Sequence, residues 1–119
     1  MSKKNRQQGE LESLVLDALW SSSSPLTSLQ ILESISPDGE LAQTTILTVL
    51  SRLVDKGIVL RESGTGRSLL FSTAQTREEF AADSMLRVFS LSQNQALALS
   101  HFAKGLSEEQ ITALKQALK

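Results

Sequence analysis

The chain of 119 residues contains no cysteine. That excludes disulfides, thiolate metal sites and cysteine nucleophiles, and it suits a reducing compartment, so a cytoplasmic location is expected. Histidine is almost as scarce, with His101 alone. No His/Asp/Glu ligand cluster, Gly-rich phosphate loop or Gly-x-Ser-x-Gly elbow occurs. No metal, cofactor or catalytic residue is therefore expected, and the chain does not read as an enzyme. The acidic pairs Glu78–Glu79 and Glu108–Glu109 follow Ser or Thr caps, where carboxylates favour the helix dipole rather than acid/base work. Aromatics are few, 4% of residues, and form no concentrated ligand-binding set. No apolar run approaches the roughly 18 residues of a membrane span, so no membrane insertion is expected. No apolar segment follows Lys3, Lys4 and Arg6, so no signal peptide is expected. A net charge of −1 argues against a grossly basic nucleic-acid binder.

What is present is organised around Leu41–Gly57. Ile46, Val49, Leu50, Leu53 and Val54 recur at helical spacing and form one apolar stripe. Thr44, Thr45, Thr48, Ser51 and Arg52 lie off it. Short hydroxyl side chains near a helix start can approach phosphates and base edges closely, and an arginine two turns on adds charge. Gly57 is placed to end this helix. Between Gln43 and Leu70 four basic residues, Arg52, Lys56, Arg61 and Arg67, face two acidic ones, Asp55 and Glu62. The positive charge is thus local, and doubling it in a dimer would strengthen it.

The flanking segments supply a scaffold for that helix. Residues 1–8 are polar and basic, either a mobile arm or a phosphate or minor-groove contact. Glu10–Trp20 predicts a helix burying Leu11, Leu14, Val15, Ala18 and Leu19, with Trp20 as a plug. Thr27 and Gln30 form a capping-box pattern for a helix to about Ile35, burying Leu29, Leu32 and Ile35. Ser36-Pro37-Asp38-Gly39 reads as a turn, and Leu41–Ala42 as a brief strand. The period then changes. Ile58–Glu62 and Arg67–Thr73 read as two strands around a Gly-containing tip. Three helices and a hairpin predict a winged helix-turn-helix over 9–74, with 43–56 as its third helix. Arg61 and Arg67 flank the tip of the wing, either as phosphate contacts or as solvated edge-strand charges.

The remainder, 75–119, is read as helical. Thr76, Ser92 and Ser107 each precede Glu or Gln by three residues, which predicts helices near 77–90, 93–104 and 108–118. Leu106 and Ile111 are spaced for a hydrophobic staple. The apolar set Phe80, Met85, Phe89, Leu99, Phe102, Ile111, Leu114 and Leu118 is too small for an independent core. A twofold dimer with intertwined C-terminal helices is expected; the alternative is that these helices pack only on their own winged helix. The fold class expected is mostly α with a small β hairpin.

These residues also carry a resemblance. Gly9-Glu10-Leu11-Glu12 with Leu19-Trp20, the run Ala42–Leu53, Lys56-Gly57, Gly66-Arg67 and Arg77-Glu78-Glu79-Phe80 are similar to the BlaI/MecI penicillinase and methicillin-resistance repressor family. The similarity extends from Gly9 to Leu118. It implies a dimeric transcriptional repressor that binds palindromic double-stranded operator DNA and dimerises through its C-terminal helices. By position it assigns DNA binding to Gln43, Thr44, Thr45, Thr48 and Arg52 in the helix and to Arg67 in the wing; Arg61 joins them from its place beside the tip. It also implies derepression through a membrane sensor-protease system that cuts the dimerisation helices. Staphylococcal members are cut at an Asn-Phe bond. The corresponding dipeptide is His101-Phe102, so a cleavage site and an uncut helix with Phe102 in the dimer core are both open readings. A copper-responsive branch uses C-terminal cysteines, which this chain lacks. Two other function classes stay open: a winged-helix adaptor for another protein, and a regulator that responds to a small ligand.

Overall fold

A computed structural model describes residues 8–119. The basic arm over 1–7 lies outside the described residues. The elements in order are α1 (Gln8–Ser21), α2 (Ser28–Ile35), α3 (Gln43–Asp55), β1 (Val59–Ser63), β2 (Leu69–Thr73), α4 (Arg77–Phe89), α5 (Gln95–Lys104) and α6 (Glu108–Ala117). The chain divides into two compact units, one ending at Glu78 and one covering Glu79–Lys119.

In the first unit α1, α2 and α3 pack on one another and on the hairpin β1–β2. The core is Leu11, Val15, Leu16 and Leu19 of α1, Ile31 of α2, Ile46, Val49, Leu50 and Leu53 of α3, and Val59 and Phe71 of the hairpin. The stripe of α3 is buried as its periodicity predicts, with Val54 half-buried at its edge. Two other helices present different faces. In α1 Leu16 is fully buried, whereas Leu14 and Ala18 are half-buried. This helix contacts α2, α3 and β2 together, so it buries a wider arc than one stripe. In α2 the buried side chain is Ile31, and Leu29 is 50% exposed. Eight residues make barely two turns, and over that length Leu29/Leu32/Ile35 and Ile31/Leu32/Ile35 are equally periodic.

The turns are fixed by identifiable bonds. The Thr27 hydroxyl accepts the Gln30 amide at 3.2 Å, and the Gln30 side chain accepts the Thr27 amide at 2.8 Å, completing the capping box. Between α2 and α3 the buried Ser36 donates its hydroxyl to Asp38 Oδ1 at 2.9 Å and accepts the Leu41 amide at 3.0 Å. Leu41–Ala42 forms no strand, because the Leu41 amide is taken by Ser36. The short bridge is made instead by Leu26, which exchanges two backbone bonds with Phe71, at 3.0 and 2.8 Å, on the edge of β2 that β1 leaves open. At the end of α3 the Gly57 amide bonds the Val54 carbonyl and the Ile58 amide bonds the Leu53 carbonyl, a Schellman closure. Gly57 has φ +78°, which a side chain would oppose. The hairpin pairs Val59 with Thr73 through Ser63 with Leu69, antiparallel. Its tip is closed by Gly64 and Ser68, whose amide and carbonyl bond at 2.9 Å, with Gly66 at φ +67°.

Gln75 and Arg77, at the end of the first unit, are fastened to α1. Trp20 donates its indole N–H to the Gln75 carbonyl at 2.9 Å. The Arg77 guanidinium lies 5.1 Å from the centre of the Trp20 ring and pairs with Asp17.

The second unit is three helices. Ser107 and Gln110 complete the capping box of α6. The cap of α5 is Asn94, not Ser92: Asn94 Oδ1 accepts the Leu97 amide at 3.0 Å, so α5 begins at Gln95. Asparagine holds the orphan amides of a first turn as well as serine does, and it stands next to the helix.

The burial pattern of α3 yields a stability test. Leu50→Ala should lower the unfolding free energy by about 2–5 kcal/mol, while Thr48→Ala, on the opposite face, should change it by less than about 1 kcal/mol. Urea melts followed by far-ultraviolet circular dichroism check the contrast, and equal losses would refute it.

Candidate nucleic-acid interface

Burying Ile46, Val49, Leu50 and Leu53 commits the other side of α3 to solvent. Thr44, Leu47, Thr48, Ser51, Arg52 and Asp55 are all exposed and recur at three- and four-residue intervals. They form one continuous outward stripe. Thr45 is half-buried at its edge. The N-cap of the helix is Ala42, which makes no side-chain cap bond to the amides of the first turn.

The polar groups on this stripe are not equivalent. The Thr48 hydroxyl donates to the Thr44 carbonyl one turn earlier, at 2.9 Å. Its hydrogen is thereby spent on the backbone, and a methyl group and an accepting lone pair are what it has left to offer. Gln43 donates its side-chain amide to Ser28 Oγ at 3.2 Å, tying the start of α3 to the start of α2. Among the described residues Arg52, Arg61 and Arg67 are exposed, and their guanidinium groups make no ion pair or hydrogen bond. Two other cations of this unit are engaged within it. Lys56 pairs with Glu12 at 3.5 Å, and Arg77 pairs with Asp17. Among the described residues of this unit, the arginines left to meet an anion are therefore those of the third helix and the wing.

The wing and α3 meet in a groove of about 410 Å³ lined by Thr27, Ser28, Leu29, Gln43, Leu47, Arg67, Ser68, Leu69 and Phe71. It brings Gln43 and Arg67 together and leaves Arg61 elsewhere on β1. Ser28, Leu29, Ser68 and Leu69 are additions that sequence periodicity does not reveal. Leu29 in particular reads as core, and only its 50% exposure marks it as surface.

The residues expected in a dimer interface lie in the second unit, where no residue of α4, α5 or α6 is buried. Phe80, Phe89 and Ile111 are half-buried, and Met85, Leu99, Phe102, Leu114 and Leu118 are exposed. Val88 and Leu91, exposed by 69% and 81%, extend this apolar surface beyond the expected set. His101 and Phe102 are adjacent, exposed residues within α5. Among the described residues no three His, Cys, Asp or Glu side chains gather to hold a metal ion. No described helix is long and apolar enough to cross a membrane.

Comparison with known proteins gives this surface a context. The family model described as penicillinase repressor matches residues 8–119. The chain belongs to that family. It is also 34% identical over 113 residues to the transcriptional regulator BlaI of Mycobacterium tuberculosis, in two strains, covering 92% of this chain and 81% of the relative. A solved regulator of the MarR family from Rhodococcus sp. RHA1 superposes with a TM-score of 0.50 over 91% of this chain and 69% of its own, at 15% identity, a likeness of fold alone. The penicillinase repressor family and the observed architecture make the protein a winged-helix transcriptional repressor, mostly helical with one hairpin, as the sequence resemblance implied.

The unpaired arginines generate the test of this surface. Arg52→Ala and Arg67→Ala should each weaken binding to duplex DNA of any sequence and reduce the slope of log K against log salt by about one unit. Arg77→Ala, which removes a cation already paired, should leave the slope unchanged. Fluorescence-anisotropy titrations from low to moderate salt measure both.

Proposed function

We propose that the protein represses transcription as a homodimer bound to a palindromic operator in the cytoplasm. Each protomer lays the N-terminal half of α3 in a major groove. Thr44, Thr45 and Thr48 approach base edges and phosphates there, with Gln43 held at the helix start, and Arg52 meets a phosphate. The wing brings Arg67 and Arg61 to the flanking backbone, and the basic arm over residues 1–8 adds Lys3, Lys4 and Arg6. The observation that carries this reading is the outward stripe of α3. Apart from Leu47 it is polar, its N-cap makes no side-chain bond, and it is accompanied by exposed arginines that make no ion pair among the described residues. No chemistry is required, since occupying a promoter is sufficient.

The domain division follows the same reading, with a winged helix over 9–74 and dimerisation helices over 75–119. The second unit supports it by what it leaves uncovered. Three helices with no buried residue and many apolar side chains at the surface need a partner surface. A second copy supplies it with twofold symmetry, and linked half-sites then bind far more tightly than either alone. Release follows from loss of that interface. Cutting by a membrane sensor-protease system is one route, with His101–Phe102 at the position of the family's cleaved bond. The position of Phe102, half exposed within α5, equally suits a dimer contact.

Two measurements test the proposal. DNase footprinting on the DNA upstream of its own coding sequence should give a dyad. An absence of binding at low salt would favour an adaptor that recognises protein. Sedimentation of the full chain should give a dimer at micromolar concentration, and Phe102→Asp should shift it toward monomer and lower operator affinity at least tenfold. A wild-type chain that sediments as a monomer overturns the dimeric reading.

A further inference from the structure

We propose that Leu47 reads the 5-methyl group of a thymine, making it a specificity-determining residue of the operator contact. This rests on the reading in which α3 enters a major groove. Leu47 is the one apolar residue on the outward stripe, between Thr44 and Thr48 and before Ser51. It is 41% exposed, while Ile46, Val49, Leu50 and Leu53 on the same helix are essentially inaccessible. Its exposed surface is therefore not a by-product of a crowded core, which is complete without it.

It borders the groove beside the wing on one side and Thr48 on the other. Along the groove beside the wing Leu47 shares the lining with the apolar side chains of Leu29, Leu69 and Phe71. Along the helix Thr48 has turned its hydroxyl hydrogen onto the Thr44 carbonyl, leaving a methyl among its outward groups. An apolar side chain placed this way cannot satisfy a base-edge amide, carbonyl or ring nitrogen. Among the four bases the major-groove edge offers one apolar group, the C5 methyl of thymine. Bringing Leu47 against any other base would leave a polar edge dry and unbonded, which costs affinity. Leu47 thus selects for thymine both by what it favours and by what it excludes.

The experiment isolates a single methyl group. Each thymine within the protected dyad is replaced by uracil, which pairs identically and lacks only that methyl. Binding is then measured for wild type, Leu47→Ala and Thr48→Ser. For the wild type, one thymine per half-site should lose about fourfold in affinity when its methyl is removed, in line with burial of one such group. In Leu47→Ala that loss should shrink to less than about 1.5-fold, while replacement elsewhere is unaffected. Thr48→Ser should reduce the same penalty partly, because it removes the neighbouring methyl and keeps the hydroxyl. A dyad bound with no uracil effect, or with one independent of residue 47, overturns this inference and leaves the repressor reading standing. A wild-type chain that binds no dyad overturns both.

Discussion

The first unit depends on the burial of four side chains on one helix, Ile46, Val49, Leu50 and Leu53. They meet α1, α2 and the hairpin, so the orientation of α3 about its own axis is set by the core and not by any surface bond. Rotating the helix by one residue would move about 100° of arc and put threonines inside. The polar stripe is consequently held in place by what lies behind it. Side chains that must meet a rigid duplex within an ångström or so need this kind of support, and the closed ends of α3, Ser36 before it and Gly57 after it, provide the remainder.

The two units answer the same physical requirement differently. The first encloses eleven apolar side chains within one chain. The second has good helix caps and no enclosed side chain, so its helices are locally specified and globally uncovered. Capping contributes about 1 kcal/mol per helix end, too little to hold three short helices without packing. In the proposed dimer the free energy that fixes them comes from the partner surface that would cover them. This ties folding of the C-terminal helices to protein concentration, and it makes DNA affinity depend on that assembly too.

Much of this arrangement was legible in the sequence where a pattern was long. The helix α3 has thirteen residues, and four of the five residues in its apolar stripe, Ile46, Val49, Leu50 and Leu53, are buried, with Val54 half-buried. The capping boxes of α2 and α6 were legible because serine or threonine and glutamine stand at a fixed spacing. Short patterns misled. The two turns of α2 fit two faces equally, and packing on α1, α3 and β2, segments distant in the chain, goes with Ile31 buried and Leu29 exposed. Leu41–Ala42 looked like strand until Ser36 took its amide. For the candidate surface, the identity of the exposed residues followed from α3 alone. Which arginines are unpaired did not, because Lys56 and Arg77 find Glu12 and Asp17 on a different helix. The groove joining Leu47 to Leu69 was invisible for the same reason.

The seam between α1 and the start of α4 has an optical consequence. Trp20 is the only tryptophan, and there is no tyrosine to share its absorption. Its indole N–H is held by the Gln75 carbonyl and its face lies under the Arg77 guanidinium. Excited indole responds to both a nearby positive charge and the loss of a bonded N–H. The intrinsic emission of the protein is therefore a single-position signal of whether this seam is closed. It arises within the first unit and away from the outward stripe of α3, so it reports on these contacts without a label.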